Sequence, residues 1–166
     1  MPRPDSTELV VNDALDLSPV LAPNPLDIRV SLGALIHWAD SPTFRRQLMD
    51  AAAFPIDDVQ AFLAVNQLSY RGPLRPTDLA DAIQTGRSNI SKVARRLAHA
   101  GLAVRIPDPA DDRGVLITLT RHGREAGRRI MDRNAELIQQ AFSDWDEADV
   151  RAFAALLARF SATIDQ

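Results

Sequence analysis

Apolar residues recur at helical spacing through most of this chain and switch to strand-like runs only once. Asn24-Pro25 is a helix start, a capping side chain followed by proline in the first turn. Leu26 to Ala39 follows, with Ile28, Leu32, Leu35 and Ile36 on one stripe. Ser41-Pro42 repeats the signal and opens a second helix through Phe44, Leu48 and Met49. Pro55 opens a third, with Val59, Phe62, Leu63 and Leu68 apolar, and Arg71-Gly72-Pro73 ends it.

The middle of the chain carries a more specific pattern. Pro76 to Ile83 is a short helix with Leu79, Ala80 and Ile83 inward. Thr85-Gly86 makes a tight turn, and a second helix runs from about Arg87 to Ala100, stopping at Gly101. Two short helices around a glycine-containing turn are a helix-turn-helix signature. The period then changes: Ala103 to Ile106 reads as a strand, Pro107 to Gly114 as a polar turn, and Val115 to Leu119 as a β-rich run. A helix-turn-helix followed by a charged hairpin is a winged helix. Thr120 caps a long helix to about Phe142, with Ile130, Leu137, Ile138 and Ala141 apolar. After Ser143-Asp144, a last helix from about Glu147 to Thr163 carries Val150, Phe153, Ala154, Leu157 and Phe160.

The fold class expected is therefore mainly α with a small β wing: a winged helix-turn-helix domain plus a helical dimerisation region. The divisions expected are a flexible acidic, proline-rich arm at 1–24, N-terminal dimerisation helices at 25–54, a DNA-binding domain at 55–123 and C-terminal dimerisation helices at 124–166. The arm holds Pro2, Pro4, Pro19 and Pro23 with Asp5, Glu8, Asp13 and Asp16, a composition that resists folding alone. Its Leu9, Val10, Val11, Leu15 and Leu17 are suited to docking on a partner subunit. Both terminal helical regions carry broad apolar stripes that one small winged domain has little surface to bury; a two-fold dimer supplies that surface.

Charge sharpens this picture. The net is −3, yet residues 71–133 hold thirteen basic and seven acidic side chains, a local +6 that leaves −9 elsewhere. Such asymmetry fits a DNA-binding middle between acidic ends. There are no cysteines, so thiolate metal sites and thiol redox switching are excluded. The three histidines, His37, His99 and His122, have no ligand spacing, and no metal or cofactor is expected. No apolar run is long enough to span a membrane, and the N-terminus lacks an apolar signal core; a cytoplasmic protein is expected. The sequence offers no nucleophile–base arrangement, phosphate-binding glycine loop or metal cluster, which argues against an enzyme.

On a helical wheel of Arg87–Ala100, Ile90, Val93, Ala94 and Leu97 share one face. The opposite face presents Ser88, Lys92, Arg95 and His99, with Asn89 and Arg96 at its flank. This is a major-groove inventory: Arg and Lys read guanine, Asn reads adenine, Ser contacts bases or phosphate. The N-terminal residues Ser88, Asn89 and Lys92 are expected to sit deepest. The competing reading of the helix alone is a solvated basic face. At the hairpin tip, Arg113 suits a narrow minor groove, and Asp111 is placed to pair with its guanidinium.

From Leu74 to Gly127 the chain resembles the multiple-antibiotic-resistance-regulator (MarR) family of transcription factors. The match is carried by Leu79-Ala80, Ile90-Ser91-Lys92, Leu97 to Leu102, Arg105, Asp108 to Arg113, and Leu119-Thr120-Arg121-His122-Gly123. The placement of the flanking helices extends the resemblance over about 26–164. It implies a two-fold dimer built by the first helix, the C-terminal end of the long helix and the last helix. Each recognition helix would read half of a pseudo-palindrome in double-stranded DNA. It implies DNA contacts at Ser88, Asn89 and Lys92, a backbone contact at Arg96, and the wing pair Arg113 and Asp111. Many members release DNA on binding a small phenolic or aromatic ligand. Two departures stand out: an acid at Asp112, where many relatives carry a basic residue, and the long acidic arm.

The ligand crevice is expected between the first helix, the third helix and the start of the long helix, with His37, Trp38, Phe62 and Asn66 as candidate lining. The alternative for these four is core or interface packing. The function expected is a sequence-specific, DNA-binding repressor. Its alternative is a winged-helix protein-interaction module with the acidic arm as docking segment.

Overall fold

A computed structural model describes residues 18–21, 24 and 26–164. The acidic segment 1–17, which forms most of the arm expected at 1–24, and Pro25 of the first helix-start signal lie outside the described residues. The chain divides into two units, 1–40 and 41–166.

In the first unit, helix α1 spans Ile28–Asp40. Asn24 Oδ1 accepts the Leu26 N–H at 3.0 Å, and Asp27 Oδ1 accepts the Arg29 N–H at 2.9 Å, so two successive side chains satisfy donors at the helix start. Among the described residues α1 buries none, and Ile28, Leu35, Ile36 and Trp38 are all exposed.

The second unit contains α2 (Pro42–Ala51), α3 (Val59–Arg71), α4 (Pro76–Ala82), α5 (Arg87–His99), β1 (Ala103–Asp108), β2 (Asp111–Leu119), α6 (Arg121–Ala141) and α7 (Glu147–Ile164). Ser41 Oγ caps α2 through the Phe44 N–H. Helix α3 starts at Val59, four residues after the start expected at Pro55. Asp58 takes the cap, its Oδ1 accepting from the N–H groups of Gln60 and Ala61 at 2.9 and 3.2 Å. Ala53 just upstream adopts a left-handed φ of 45°, which the helix cannot continue through.

The sheet is one antiparallel hairpin. Its register runs from Ala103↔Leu119 to Pro107↔Val115 and closes, after a bulge, at Asp108↔Asp111. The strands thus extend well into the stretch expected to be turn. Leu74 adds a short third edge by exchanging backbone bonds with Ile117 at 2.8 and 3.1 Å.

The core joins α3 to the helix-turn-helix and the hairpin. Phe62, Val65, Leu79, Val93, Leu97, Leu102, Ile117 and Ile130 are its largest fully buried members. Each large side chain removed from water stabilises the fold by about 1.5–3 kcal/mol. Helix α6 runs against this core, and its Arg129 and Arg133 donate through Nε to the carbonyls of Ala52 and Ala51 at the end of α2, at 3.0 and 3.2 Å. These carbonyls are among those a helix end leaves unpaired.

Helix α7 behaves differently. None of its residues is buried. Phe153 meets Phe142 and Trp145 at the corner between α6 and α7, with ring centroids 5.7 Å apart in both pairs. Beyond that corner Leu156, Leu157, Phe160 and Ile164 are exposed.

Candidate nucleic-acid interface

Helix α4 buries Leu79 and Ala80 and is followed by buried Ile83. The turn to α5 is made differently from the sequence expectation. Gln84 carries the positive φ, at 51°, while Gly86 sits at an extended φ of −76° as the N-cap of α5. A side chain on Gly86 would meet nothing within 4 Å, so this turn does not need its glycine.

Helix α5 inserts Ile90, Val93, Ala94 and Leu97 into the core. The opposite face is exposed at Ser88, Lys92, Arg95 and His99. Two of the flanking candidates are engaged within the chain. Asn89, half-buried, donates through Nδ2 to Thr85 Oγ1 at 2.8 Å. Arg96 Nε lies 2.5 Å from Asp58 Oδ2, so the carboxylate that caps α3 also holds α5. No side chain caps the N-terminus of this helix.

The C-terminus of α5 explains part of the motif noted in the sequence. Gly101 takes φ 67°; its N–H donates to Ala98 O and the Leu102 N–H to Leu97 O, the paired bonds of a Schellman cap. Leu102 is fully buried, and its carbonyl accepts the Thr120 N–H at 3.0 Å. Thr120 Oγ1 contacts Gly101 O at 2.5 Å and accepts the Gly123 N–H, capping α6. A Cβ on Gly123 would lie 1.9 Å from the Leu102 carbonyl oxygen. Helices α5 and α6 are therefore joined at one close backbone crossing, formed by Gly101-Leu102 on one side and Thr120 and Gly123 on the other.

In the wing, Asp111 and Arg113 are both exposed, and the Asp111–Arg113 side-chain pair expected from the sequence is replaced by a different arrangement. Asp111 Oδ1 accepts the Arg113 backbone N–H at 3.1 Å, closing a local turn, and its Oδ2 lies 3.5 Å from Arg75 Nη2. The Arg113 guanidinium has no partner among the described residues. The buried carboxylate of the wing is Asp108, 6% exposed. Its Oδ1 accepts the Ala110 N–H at 2.9 Å, and its Oδ2 lies 2.8 Å from Nε and 2.7 Å from Nη2 of Arg75. The Ala110 N–H and then the Arg75 guanidinium hold the Asp108 carboxyl below the usual carboxylate range, against the opposing effect of burial. Gly114 is needed here, because a Cβ would come within 2.8 Å of Asp108 Cβ. Arg75 and Asp108 were not singled out from the sequence. The one local signal is Asp108-Pro109-Ala110, an Asx-type turn in which the aspartate accepts the N–H two residues on.

Between α5 and the hairpin lies a groove floored by Ala94, Ala98, Ala103 and Ile117, with Arg95 and Arg105 at its rim. The four ligand candidates are divided between the two units. Phe62 is 2% exposed and packs edge-on against Phe54 at 5.5 Å, within the core. Asn66 is half-buried on α3, while His37 and Trp38 are exposed on α1, in the other unit. A crevice of about 460 Å³ does open between the end of α3, β2 and the start of α6. It is lined by Leu68, Ser69, Pro73, Leu119, Met131 and others, with Arg124 and Arg128 beside them. Among the described residues no helix is long and apolar enough to cross a membrane, and no group of His, Asp or Glu could hold a metal ion.

Comparison with known proteins agrees with this geometry. Residues 59–115, from the start of α3 into the wing, match the MarR family. The transcriptional regulator PecS of Dickeya dadantii (strain 3937), of the helix-turn-helix type, is 30% identical over 145 residues, covering 87% of this chain and 82% of its own. A MarR family protein from Bacillus stearothermophilus has the same fold, with a TM-score of 0.67 at 18% identity over 83% of this chain and 96% of that one. NadR, solved in complex with 4-hydroxyphenylacetate, superposes with a TM-score of 0.59 at 22% identity, covering 87% of this chain and 97% of its own. The likeness to PecS runs through the helices on both sides of the wing, and with it the helix-turn-helix and hairpin described above place the chain in the MarR family of winged-helix, DNA-binding transcriptional regulators.

Proposed function

We propose that this regulator is a cytoplasmic repressor that binds a pseudo-palindromic operator as a homodimer. The observation that carries the reading is the solvent face of α5, where Ser88, Lys92 and Arg95 stand exposed beside a wing whose Arg113 guanidinium has no partner among the described residues. Ser88 and Lys92 are assigned to base edges in the major groove, Arg95 to bases or phosphate, and Arg113 to the minor groove at the flank. Asn89 reads a base only by giving up Thr85 or by using its remaining amide atoms. Arg96 reaches phosphate only by leaving Asp58. Asp111 acts on the wing backbone instead of on the Arg113 side chain.

Dimerisation is supported by the apolar side chains that α1 and α7 each expose, Ile36 and Trp38 on one and Leu156, Leu157 and Phe160 on the other. Exposed patches of this kind mark surfaces covered by another protein. Release by a small aromatic acid is the regulatory reading, and the crevice beside Arg124 and Arg128 is the place we assign to it. NadR, with bound 4-hydroxyphenylacetate, is the related fold that supports this ligand class.

Fluorescence anisotropy of the purified protein on genomic DNA upstream of its own gene, over a range of salt, tests the reading. Binding should weaken steeply with salt as phosphate contacts release counterions. Salt-independent binding, or a monomer in light scattering at the same concentrations, would contradict it.

A further inference from the structure

We infer that Arg75, outside both the recognition helix and the wing, is the residue that sets the position of the wing. The inference rests on the DNA-binding reading only for its functional consequence; its structural content stands alone.

Arg75 is the N-cap of α4, the first helix of the helix-turn-helix, yet it makes no side-chain cap bond to that helix. Its guanidinium is turned to the hairpin. There it reaches two oxygens on different residues, Asp108 Oδ2 through Nε and Nη2, and Asp111 Oδ2 through Nη2. These two aspartates pair with each other at the hairpin end, on the tip side of the bulge after Pro107. Each uses its other oxygen inside the tip: Asp108 Oδ1 holds the Ala110 N–H, and Asp111 Oδ1 holds the Arg113 N–H. One guanidinium therefore fastens both ends of the hairpin tip, and Arg113 stands two residues beyond, its N–H bonded to Asp111. The backbone next to it is already fixed, since Leu74 is bonded to Ile117 on both sides.

A two-stranded hairpin pivots easily on its base, because nothing pairs with its outer edges near the tip. Here the base is held by Leu74 and the tip by Arg75, and two points of attachment define an angle. The fork of the arginine matters, since a lysine supplies charge but no fixed pair of donor directions. Arg75 is thus a positioning residue that acts through Asp108 and Asp111 on the place of Arg113.

The test compares Arg75→Gln, Arg75→Lys and Asp108→Asn by amide hydrogen exchange in the DNA-free protein and by footprinting on a site that the wild-type protein enriches from random duplex DNA. Asparagine at 108 keeps the acceptor for Ala110 and loses the charge. In Arg75→Gln, exchange at Ala110 and Arg113 should quicken by about tenfold or more, as expected for loss of a charge-assisted bond, with the amides of Val93 and Leu97 unchanged. Asp108→Asn should reproduce the effect, and Arg75→Lys should recover part of it. On DNA, protection at the wing flank should fade while the central half-site stays protected. Unchanged exchange at the tip, or equal acceleration in α5, would overturn the inference. Wild-type protein that protects no flank would instead refute the assignment of the wing to DNA, and leave the exchange result to decide the role of Arg75.

Discussion

Gly123→Ala is the substitution whose effect the structure fixes most closely. The added methyl would sit 1.9 Å from the Leu102 carbonyl oxygen and 2.8 Å from its carbon. Carbon and oxygen in ordinary contact stand more than 3 Å apart, so backbone on one side must move by over an ångström. The atoms in the way are main chain, and no side-chain rotation relieves them. Movement there strains the bonds from Thr120 to Leu102 O and Gly101 O. Overpacking of this sort costs about 1–3 kcal/mol. Loss of one hydrogen bond adds about 1 kcal/mol. The expected loss is therefore about 2–4 kcal/mol, a large part of a typical domain's stability. Urea denaturation measures it as a lower midpoint at unchanged slope. Gly86→Ser is the companion experiment. It opens α5 at a φ of −76° with free space around it, and serine is a better cap than glycine, so stability should hold or rise by a few tenths of a kcal/mol. A Gly123→Ala protein within about 0.5 kcal/mol of wild type, a surface-like effect, would refute the close crossing between α5 and α6.

Other outcomes follow from the same geometry. Lys92→Ala should lower affinity for the operator more than for random DNA, measured by competition; equal loss on both would reduce Lys92 to a phosphate contact. Arg113→Ala should weaken binding chiefly where A/T-rich flanks are present, and unchanged affinity removes it from the interface. Asp108 is held below its unfolded value of 3.8, so its stabilising effect is complete above that value and lost as pH falls through the lower folded one. The stability gap between wild type and Asp108→Asn should accordingly narrow from about pH 5 downward, and a gap that widens in acid would reverse the assignment. Leu157→Asp, on the exposed face of α7, should shift the protein toward monomer in light scattering while far-ultraviolet circular dichroism stays helical. A dimer that persists at low micromolar concentration would move the interface elsewhere.

Much of the fold was legible because its signals are local. Ser41-Pro42, Thr120 and Gly101 each announce a helix end by a side chain or a backbone angle that acts within four residues. The inward stripe of α5 was legible for the same reason, from the spacing of Ile90, Val93, Ala94 and Leu97. What escaped is long-range or polar. Pro55 imitates a helix start, but Asp58 provides a cap that satisfies two N–H groups, and the helix begins there. The hairpin was expected too short, since β2 begins at Asp111, with Asp111 to Gly114 in the strand without any apolar alternation. Asp111 was matched with Arg113 by proximity in sequence, whereas the guanidinium that holds the wing comes from Arg75, 33 residues before Asp108. Phe62 is buried in the core, and helical periodicity marks such an inward residue without saying whether the space beyond it is filled.

The most direct test of the central claim is selection of binding sites from random duplex DNA by the purified protein. Enrichment of a pseudo-palindrome with half-sites about one helical turn apart is the predicted result. A folded dimer that enriches no sequence, or that enriches an isolated half-site, would contradict the account.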